Sequence, residues 1–262
     1  MGRDRGPGAL PFEASRCVLP RRGGNMDGLM PARRLQPELM DDPALDASEH
    51  RRALAGLARI NAVSRAGAGL WRSVQGLIGQ KRIVSLLDVA VGSGDVLVDT
   101  SLRAKRQGVA LALEACDISP EALAATSRRA EDAGLGIGMH RRDVVRDGLP
   151  HADASVDVVT CSLFLHHLTE AQAIGVLREM ARVARLGVVV SDLRRCREGR
   201  LSAVVVSRLL TRSRVVWVDA VRSYEGAFEV GEMRSMANAA GMAGAIVERS
   251  WPLRMTLVWR RP

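Results

Sequence analysis

The sequence predicts an α/β fold in which a doubly wound, mostly parallel seven-stranded sheet ends in an antiparallel hairpin. Residues 82–193 alternate short apolar, β-branched runs with helical stretches, which is typical of βαβ units with helices on both faces of a sheet. The last two strand-like segments are separated only by Pro252 and Leu253, so they can only pair as a hairpin. Residues 36–80 carry apolar side chains at helical spacing and predict N-terminal helices.

The elements follow one another in a regular order after residue 80. Ser119 is the expected N-cap of one helix, with Pro120 at its first position. An expected helix at 199–211 and a loop through Val221 and Tyr224 interrupt the alternation before the closing hairpin. Strands are predicted at 83–91, 109–116, 136–142, 156–164, 186–193, 244–251 and 254–261, and helices at 95–107, 119–133, 169–184 and 230–240.

The 262 residues divide into three regions by composition and spacing. Residues 1–35 are rich in Gly, Pro and Arg without a periodic pattern, and we expect a disordered leader there. Residues 36–80 form a helical cap. Residues 81–262 form the main domain, in which the insertion at about 194–229 is expected on the substrate side.

Composition excludes several classes of protein. With 47% hydrophobic and 26% charged residues, and without an apolar run of about 20 residues, the chain is expected to be globular and not to span a membrane. The net charge of +9 comes from arginine, since only Lys81 and Lys105 are lysines, and the aromatic content of 3% disfavours nucleic acid as a partner. The four cysteines form no CxxC pair, and with no secretory signal the expected compartment is the cytoplasm.

The first strand runs into a glycine turn that contains Asp88, Gly92 and Gly94. Ligands of doubly wound sheets bind outside the carboxyl ends of the strands, where glycine lets backbone amides approach them. Leu97 stands where a dinucleotide fingerprint has its third glycine, and no phosphate-binding GK[ST] follows. The turn therefore predicts a nucleotide-like cofactor other than NAD or ATP, although a purely structural tight turn is the alternative.

Two further carboxylates follow the next two strands. Asp117 could accept hydrogen bonds from both hydroxyls of a ribose. Asp143, beside the apolar Val144, could accept from an exocyclic amine, and Asp88 could accept from an ammonium group. A solvent-facing carboxylate at Asp117 and an ordinary ion pair with a neighbouring arginine at Asp143 are the alternatives.

His166 and His167 follow the fourth strand, at the same edge of the sheet as the glycine turn. Histidine suits proton transfer near neutral pH, so either residue is a candidate base, while packing with one satisfied hydrogen bond is the alternative. Adjacent histidines are expected to point apart, and no third ligand is spaced nearby. We therefore expect no metal site here.

The ordered motifs LLDVAVGSGDV, EACDISPEAL, RRDVV, CSLFLHHL, LREMARVAR and VVVSDL resemble those of class I S-adenosylmethionine-dependent methyltransferases. They look most like the ubiquinone/menaquinone-biosynthesis type that acts on small molecules. The resemblance implies a Rossmann-like sheet, and it makes residues 81–262 the S-adenosylmethionine-binding methyltransferase domain. Ala90 departs from the commonest form of the first motif, which has Gly there.

The resemblance also implies roles for individual residues. Gly92 and Gly94 would pass under the methionyl part of S-adenosylmethionine, and Asp88 would lie near its ammonium group. Asp117 would hold the ribose and Asp143 the adenine amine. The implied cofactor-binding set is Asp88, Ala90, Gly92, Gly94, Asp117, Ile118, Asp143, Val144, Ser162 and Leu163.

The segments ELMDDPALDASEHRRALAGLARIN and DAVRSYEGAFEVGEM resemble a bacterial branch of methyltransferases associated with aromatic polyketide pathways, which implies secondary metabolism. The expected function is therefore O-methylation of a phenolic, quinol or polyketide-derived small molecule. The acceptor pocket is expected between the cofactor edge, residues 36–80 and an insertion that includes Asp219, Arg222 and Tyr224. A polar loop face is the alternative for these three residues. A C-methyltransferase and a non-catalytic binding protein are the alternatives. An RNA or protein methyltransferase is supported by the positive charge alone. The sequence leaves the oligomeric state open.

Overall fold

The computed structural model describes residues 32–42 and 44–262 and confirms the predicted fold class. The sheet has the strand order β3-β2-β1-β4-β5-β7-β6 within the described residues. Its strands are β1 (Ile83–Val89), β2 (Ala110–Asp117), β3 (Ile137–Arg141), β4 (Val156–Ser162), β5 (Ala184–Leu193), β6 (Ile246–Ser250) and β7 (Arg254–Arg260).

The α-helices of the described residues are α1 (Ala47–Val63), α2 (Ala66–Ile78), α3 (Asp95–Arg106), α4 (Pro120–Asp132), α5 (Val144–Asp147), α6 (Glu170–Val183), α7 (Arg197–Leu210), α8 (Arg214–Gly226) and α9 (Val230–Ala239). Ser119 is the N-cap of α4, as predicted, and accepts a hydrogen bond from the amide of Ala122. The expected loop through Val221 and Tyr224 is wrong, because both residues belong to α8.

The closing hairpin is confirmed. Strand β7 runs antiparallel to both β5 and β6, while β1 to β5 pair in parallel. Parallel neighbours place the carboxyl ends of β1, β2, β4 and β5 at one edge of the sheet. The residues that follow these strands therefore share that edge.

Helices cover both faces of the sheet, as buried strands require. One apolar core lies beneath α6 and α9 and includes Leu177, Met180 and Met236. The core on the opposite face includes Leu70 and Leu97, from α2 and α3. This packing on both sides holds the strand ends in fixed positions.

The segment formed by residues 32–42, here called the N-terminal strap, runs across the carboxyl edge of the sheet. Arg33 donates to the carbonyl oxygens of Gly226 and Leu168, at 2.6 Å each, and to that of His166 at 3.2 Å. The carboxylate of Asp219, in α8, accepts from two strap amides. Residues 1–31 of the predicted leader lie outside the described residues.

Among the helices that the structure describes, none combines the length and the apolar character needed to cross a bilayer.

Candidate functional site

The glycine turn joins β1 to α3 with three residues in the left-handed region. Ala90, Gly92 and Gly94 have φ values of 55°, 57° and 70°. The left-handed region costs an alanine about 1 kcal/mol or more, whereas glycine adopts it freely. Ala90 stands where the commonest form of the motif has glycine, and its backbone still adopts the left-handed conformation that glycine favours.

Gly92 and Gly94 differ in what surrounds them. A Cβ at Gly94 would lie 2.7 Å from Cγ2 of Thr126, whereas a Cβ at Gly92 would meet no described atom within 4 Å. Thr126 also donates to the carbonyl oxygen of Gly92 at 2.9 Å, which fixes the turn against α4. Gly94 is therefore needed for packing, and Gly92 leaves open space at the carboxyl edge of the sheet.

Asp117 closes β2 beside this turn. Its Oδ2 accepts from the amide of Gly92 at 2.9 Å, and its Oδ1 accepts from the amide of Ser119 at 2.9 Å. Burial raises the pKa of Asp117, although these backbone hydrogen bonds act in the opposite direction. Each carboxylate oxygen has a second lone pair, so Asp117 can still accept from a ribose diol.

Asp88 is a buried carboxylate in the middle of the sheet, with 2% of its surface exposed. Its Oδ1 accepts from Oγ1 of Thr160 at 2.6 Å. Burial raises the pKa of Asp88 to about 7, helped by the charges of Asp95 and Asp117. Among residues 32–42 and 44–262, Asp88 takes part in no ion pair, so no opposite charge offsets the effect of its burial on the pKa.

The predicted adenine contacts differ in exposure. Ile118 keeps 59% of its surface exposed beside Asp117, which leaves an apolar side chain available to a flat ring. Val144 is buried. Oδ1 of Asp143 caps the short helix α5 by accepting from the amides of Val145 and Arg146, and Oδ2 takes no part in this cap.

Ser162 and Leu163 follow β4 at the same edge. The hydroxyl of Ser162 is buried without a hydrogen-bond partner among the described residues, and such an orphaned polar atom is a place for a ligand contact. Leu163 has a φ of 57°, which is strained for a branched side chain, and its amide donates to Ser191. The strain lies where the chain leaves the sheet.

His166 belongs to the 3-10 turn Leu165–His167 that follows. Its Nδ1 lies 2.6 Å from Oδ1 of Asp192, near the end of β5, and the two residues are 4% and 1% exposed. Burial would raise the pKa of Asp192, but the charge and hydrogen bond of His166 outweigh it and lower that pKa. An ionised Asp192 can only accept, so Nδ1 of His166 carries a proton and its Nε2 faces Glu38 of the strap, 3.8 Å away.

His167 has a different environment. Its Nδ1 lies 3.2 Å from Oδ2 of Asp41, and its Nε2 lies 3.9 Å from Oε2 of Glu38. Burial disfavours the imidazolium, but the hydrogen bond to Asp41 and the nearby carboxylates outweigh it and raise the pKa of His167 to about 9. His167 is therefore charged at neutral pH, when it cannot accept another proton.

The expectation that the adjacent histidines point apart is wrong. Their ring centroids are 4.3 Å apart and their planes are tilted by 34°, because the chain turns here instead of extending. Glu38 adds a third potential ligand to His166 and His167. A metal at this cluster would have to displace the proton of His167, since an imidazolium has no lone pair to donate.

Three residues that contact the two histidines were missed by sequence reasoning. Glu38 directly precedes the 3-10 turn Leu39–Asp41, to which Asp41 belongs, and no periodic pattern in this short segment assigns either side chain to a site. Asp192 stands at the carboxyl end of a predicted strand, at the edge of the sheet where ligands bind. Its place in that strand was therefore a signal by which it could have been identified.

The three polar residues expected in the insertion belong to α8, and two of them, Asp219 and Arg222, contact the strap. Asp219 accepts from the amides of Leu39 and Met40 at 2.8 and 3.0 Å. Arg222 donates to the carbonyl oxygen of Pro37 at 2.6 Å. A Cβ at Gly199, in α7, would clash with the ring of Tyr224 at 2.5 Å, so the two helices approach closely here.

Residues 86–187 match the family model described as a methyltransferase domain. The ubiquinone/menaquinone biosynthesis C-methyltransferase UbiE of Xanthomonas campestris pv. campestris is 34% identical over 102 residues, which cover 39% of this chain and 38% of that protein. The chain therefore matches well under half the length of this curated relative.

Solved structures share the fold over a larger part of the chain. An S-adenosylmethionine-dependent methyltransferase from Aquifex aeolicus matches with a TM-score of 0.51 and 18% identity, covering 72% of this chain and 88% of that one. The magnesium protoporphyrin IX methyltransferase of Synechocystis PCC 6803 matches with a TM-score of 0.51 and 13% identity, covering 84% and 90%. Fold, glycine turn and family model agree with the resemblance found in the sequence. Residues 86–187 are therefore similar to the methyltransferase-domain family, and the chain shares its fold with S-adenosylmethionine-dependent methyltransferases of known structure.

Proposed function

We propose that this protein transfers the methyl group of S-adenosylmethionine to an oxygen atom of a phenolic, quinol or polyketide-derived small molecule. The observation that carries the proposal is the buried His166–Asp192 pair at the same sheet edge as the glycine turn and Asp117. A pair of this kind supplies a base where the acceptor would meet the cofactor.

The residues at the sheet edge fit the cofactor. When bound, S-adenosylmethionine supplies an electrophilic methyl group on a sulfonium centre. Asp88 is a buried carboxylate suited to the ammonium group, and the space beside Gly92 accepts the methionyl chain. Asp117 holds the ribose hydroxyls, while the exposed Ile118 covers the adenine ring.

His166 accepts the proton of the acceptor hydroxyl. A phenol has a pKa of about 10, so its oxygen becomes a strong nucleophile at neutral pH only when a base removes the proton. Asp192 holds the Nδ1 proton of His166 and so leaves Nε2 as the accepting atom. The charged His167 cannot perform this step.

Glu38 controls the approach to this base. Its Oε1 lies 3.8 Å from Nε2 of His166, too far for a hydrogen bond, and accepts from the hydroxyl of Ser223. Because His166 is 4% exposed, an acceptor reaches Nε2 only if the strap shifts. The carboxylate of Glu38 then stabilises the imidazolium that forms.

C-methylation is the second candidate, and the UbiE relatives favour it. A quinone-type precursor presents a ring carbon as nucleophile, and the loss of a phenolic proton to His166 would increase the electron density at that carbon. The same pair would then support attack by carbon instead of oxygen.

The two candidates differ in the product. We expect the protein to transfer a ¹³C-labelled methyl group from S-adenosylmethionine to members of a panel of phenols and quinols, with a methoxy signal in the carbon spectrum. A signal of a methyl group on a ring carbon would support the second candidate. His166→Gln should abolish turnover while cofactor binding persists. Turnover that survives this substitution contradicts the role of the pair.

A further inference from the structure

A second cluster of metal-ligating side chains lies on the β2–β3 edge, outside the site described above. Glu114 is in β2, His140 is in β3, and His151 lies in the loop between α5 and β4. Nε2 of His140 and Nε2 of His151 approach the same oxygen, Oε2 of Glu114, at 2.7 and 2.9 Å. Three elements thus bring three ligand atoms to one point, where all lie within 4.8 Å of one another.

The backbone builds this cluster. Glu114 pairs with Gly138, and His140 lies two residues further along β3, so both side chains stand on the same face of the sheet. A Cβ at Gly138 would already lie 3.4 Å from Cγ of Glu114, so glycine leaves the carboxylate room. On the other side, Arg182 donates to the carbonyl oxygen of His151 at 2.7 Å and fixes the loop.

The rings are oriented toward a common centre. The centroids of His140 and His151 are 5.0 Å apart at an angle of 74°, an edge-to-face arrangement that lets both Nε2 atoms face one carboxylate. The side chains of Glu114 and His140 are 34% and 32% exposed. The carboxylate of Glu114 can therefore rotate to admit an ion, and water molecules can complete the coordination of that ion.

We propose that Glu114, His140 and His151 bind a divalent transition-metal ion such as Zn²⁺ or Co²⁺. Two imidazoles and one carboxylate are a donor set that suits these ions, which bind histidine nitrogen at about 2.0–2.1 Å. The ion replaces the two hydrogen bonds to Glu114. Each ligating Nε2 must give up its proton, to Nδ1 of the same ring or to water, because a metal binds the free lone pair of an imidazole nitrogen.

The second nitrogen of His151 limits the affinity. Its Nδ1 is buried without a hydrogen-bond partner among the described residues. Metal-binding histidines usually donate that proton to a neighbouring acceptor, and loss of such a contact weakens binding by about 10- to 100-fold. A chelator should therefore remove the ion readily. While it is bound, the ion should connect β2, β3 and the loop before β4, which supply its three ligands.

Titration of the untagged full-length protein with Co²⁺ tests the site, because the visible absorption of Co²⁺ reports its ligands. We expect one equivalent of Co²⁺ to bind, with a spectrum of nitrogen and oxygen ligands and no thiolate charge-transfer band. Competition with Zn²⁺ should remove the signal. His140→Gln retains a polar side chain at a partly exposed position, and it should weaken binding at least tenfold.

The matched control is His167→Gln, which alters the other histidine cluster and should leave Co²⁺ binding unchanged. Near-ultraviolet circular dichroism checks that each variant is folded. Absence of Co²⁺ binding by the folded wild-type protein overturns the proposal. Binding that persists in His140→Gln, or that disappears in His167→Gln, overturns it as well. The readout does not depend on methyl transfer, so the function proposed above can fail while this site stands.

Discussion

Nδ1 of His166 donates a hydrogen bond to Oδ1 of Asp192 across 2.6 Å, and both side chains are buried. The carboxylate fixes the tautomer of the ring, because an ionised Asp192 can only accept. The strap then places Glu38 opposite the other ring nitrogen. Strand β5, the turn after β4 and the strap together determine which nitrogen of His166 can take a proton.

Asp192→Asn should lower kcat strongly and leave cofactor affinity intact. The amide can donate to Nδ1 as well as accept from it, so it no longer enforces the tautomer with a free Nε2. Since general-base catalysis contributes about 10²- to 10⁴-fold, we expect a loss of at least ~100-fold in kcat. Steady-state kinetics and a separate binding titration measure the two effects. Asp41→Asn, next to the charged His167, is the control and should retain most activity; equal losses in both variants would refute the assignment.

Gly92→Ala and Gly94→Ala should fail in different ways. Both positions have positive φ, which costs an alanine about 1 kcal/mol or more. Only Gly94→Ala adds a contact of 2.7 Å with Thr126, so we expect a further loss of about 1–3 kcal/mol in the free energy of unfolding. Gly92→Ala should stay folded but lose cofactor affinity, because its methyl group enters the open space. Denaturant unfolding and calorimetry distinguish them, and full cofactor affinity in Gly92→Ala would argue against that space as the binding site.

The stability of the ligand-free protein should depend on the ionisation of Asp88. Burial raises its pKa to about 7 in the folded state, above the usual value of an unfolded aspartate. The folded state therefore binds this proton more tightly, and the resulting stability is lost as the pH rises through about 7. Thermal unfolding between about pH 5 and pH 8 should show a steeper fall for the wild type than for Asp88→Asn. Parallel profiles would mean that Asp88 does not titrate in this range.

Asp219→Asn should release the strap without unfolding the domain. The carboxylate accepts from the amides of Leu39 and Met40, and charged acceptors contribute about 1.5–3 kcal/mol per hydrogen bond at most. Hydrogen exchange of the strap peptide should accelerate, while peptides from β1 and β4 keep their protection. Ser235→Ala, on the surface of α9, is a control that should change neither. Unchanged exchange in the strap would show that other contacts, such as those of Arg33, hold it alone.

The sequence was sufficient to predict which candidate residues directly follow the ends of strands. Asp117 and the glycine turn stand at the ends of apolar runs, and parallel pairing brings such ends to one edge. Tertiary contacts decide the rest. Glu38 meets His166 across 128 residues, and this contact depends on where Asp219 and Arg33 hold the strap.

The prediction of a loop at Val221 was wrong for the same reason, a tertiary contact that the sequence pattern does not show. Helix α8 buries Val215, Val216 and Asp219, and the carboxylate in that buried face makes the segment look polar in the sequence. Its burial is compensated by the two strap amides, which a periodicity analysis cannot see. Because the buried Asp219 is polar, the sequence pattern predicted neither helix α8 nor its contact with the strap.

Calorimetric titration with S-adenosylmethionine and S-adenosylhomocysteine, on the wild type and on Asp117→Ala, tests the central claim most directly. We expect saturable binding of both ligands at one site per chain. The substitution should weaken it by one to two orders of magnitude, about 1.4–2.8 kcal/mol, because the ribose loses its carboxylate. Absence of binding of either ligand to the folded wild-type protein would contradict the cofactor assignment and the proposed methyl transfer.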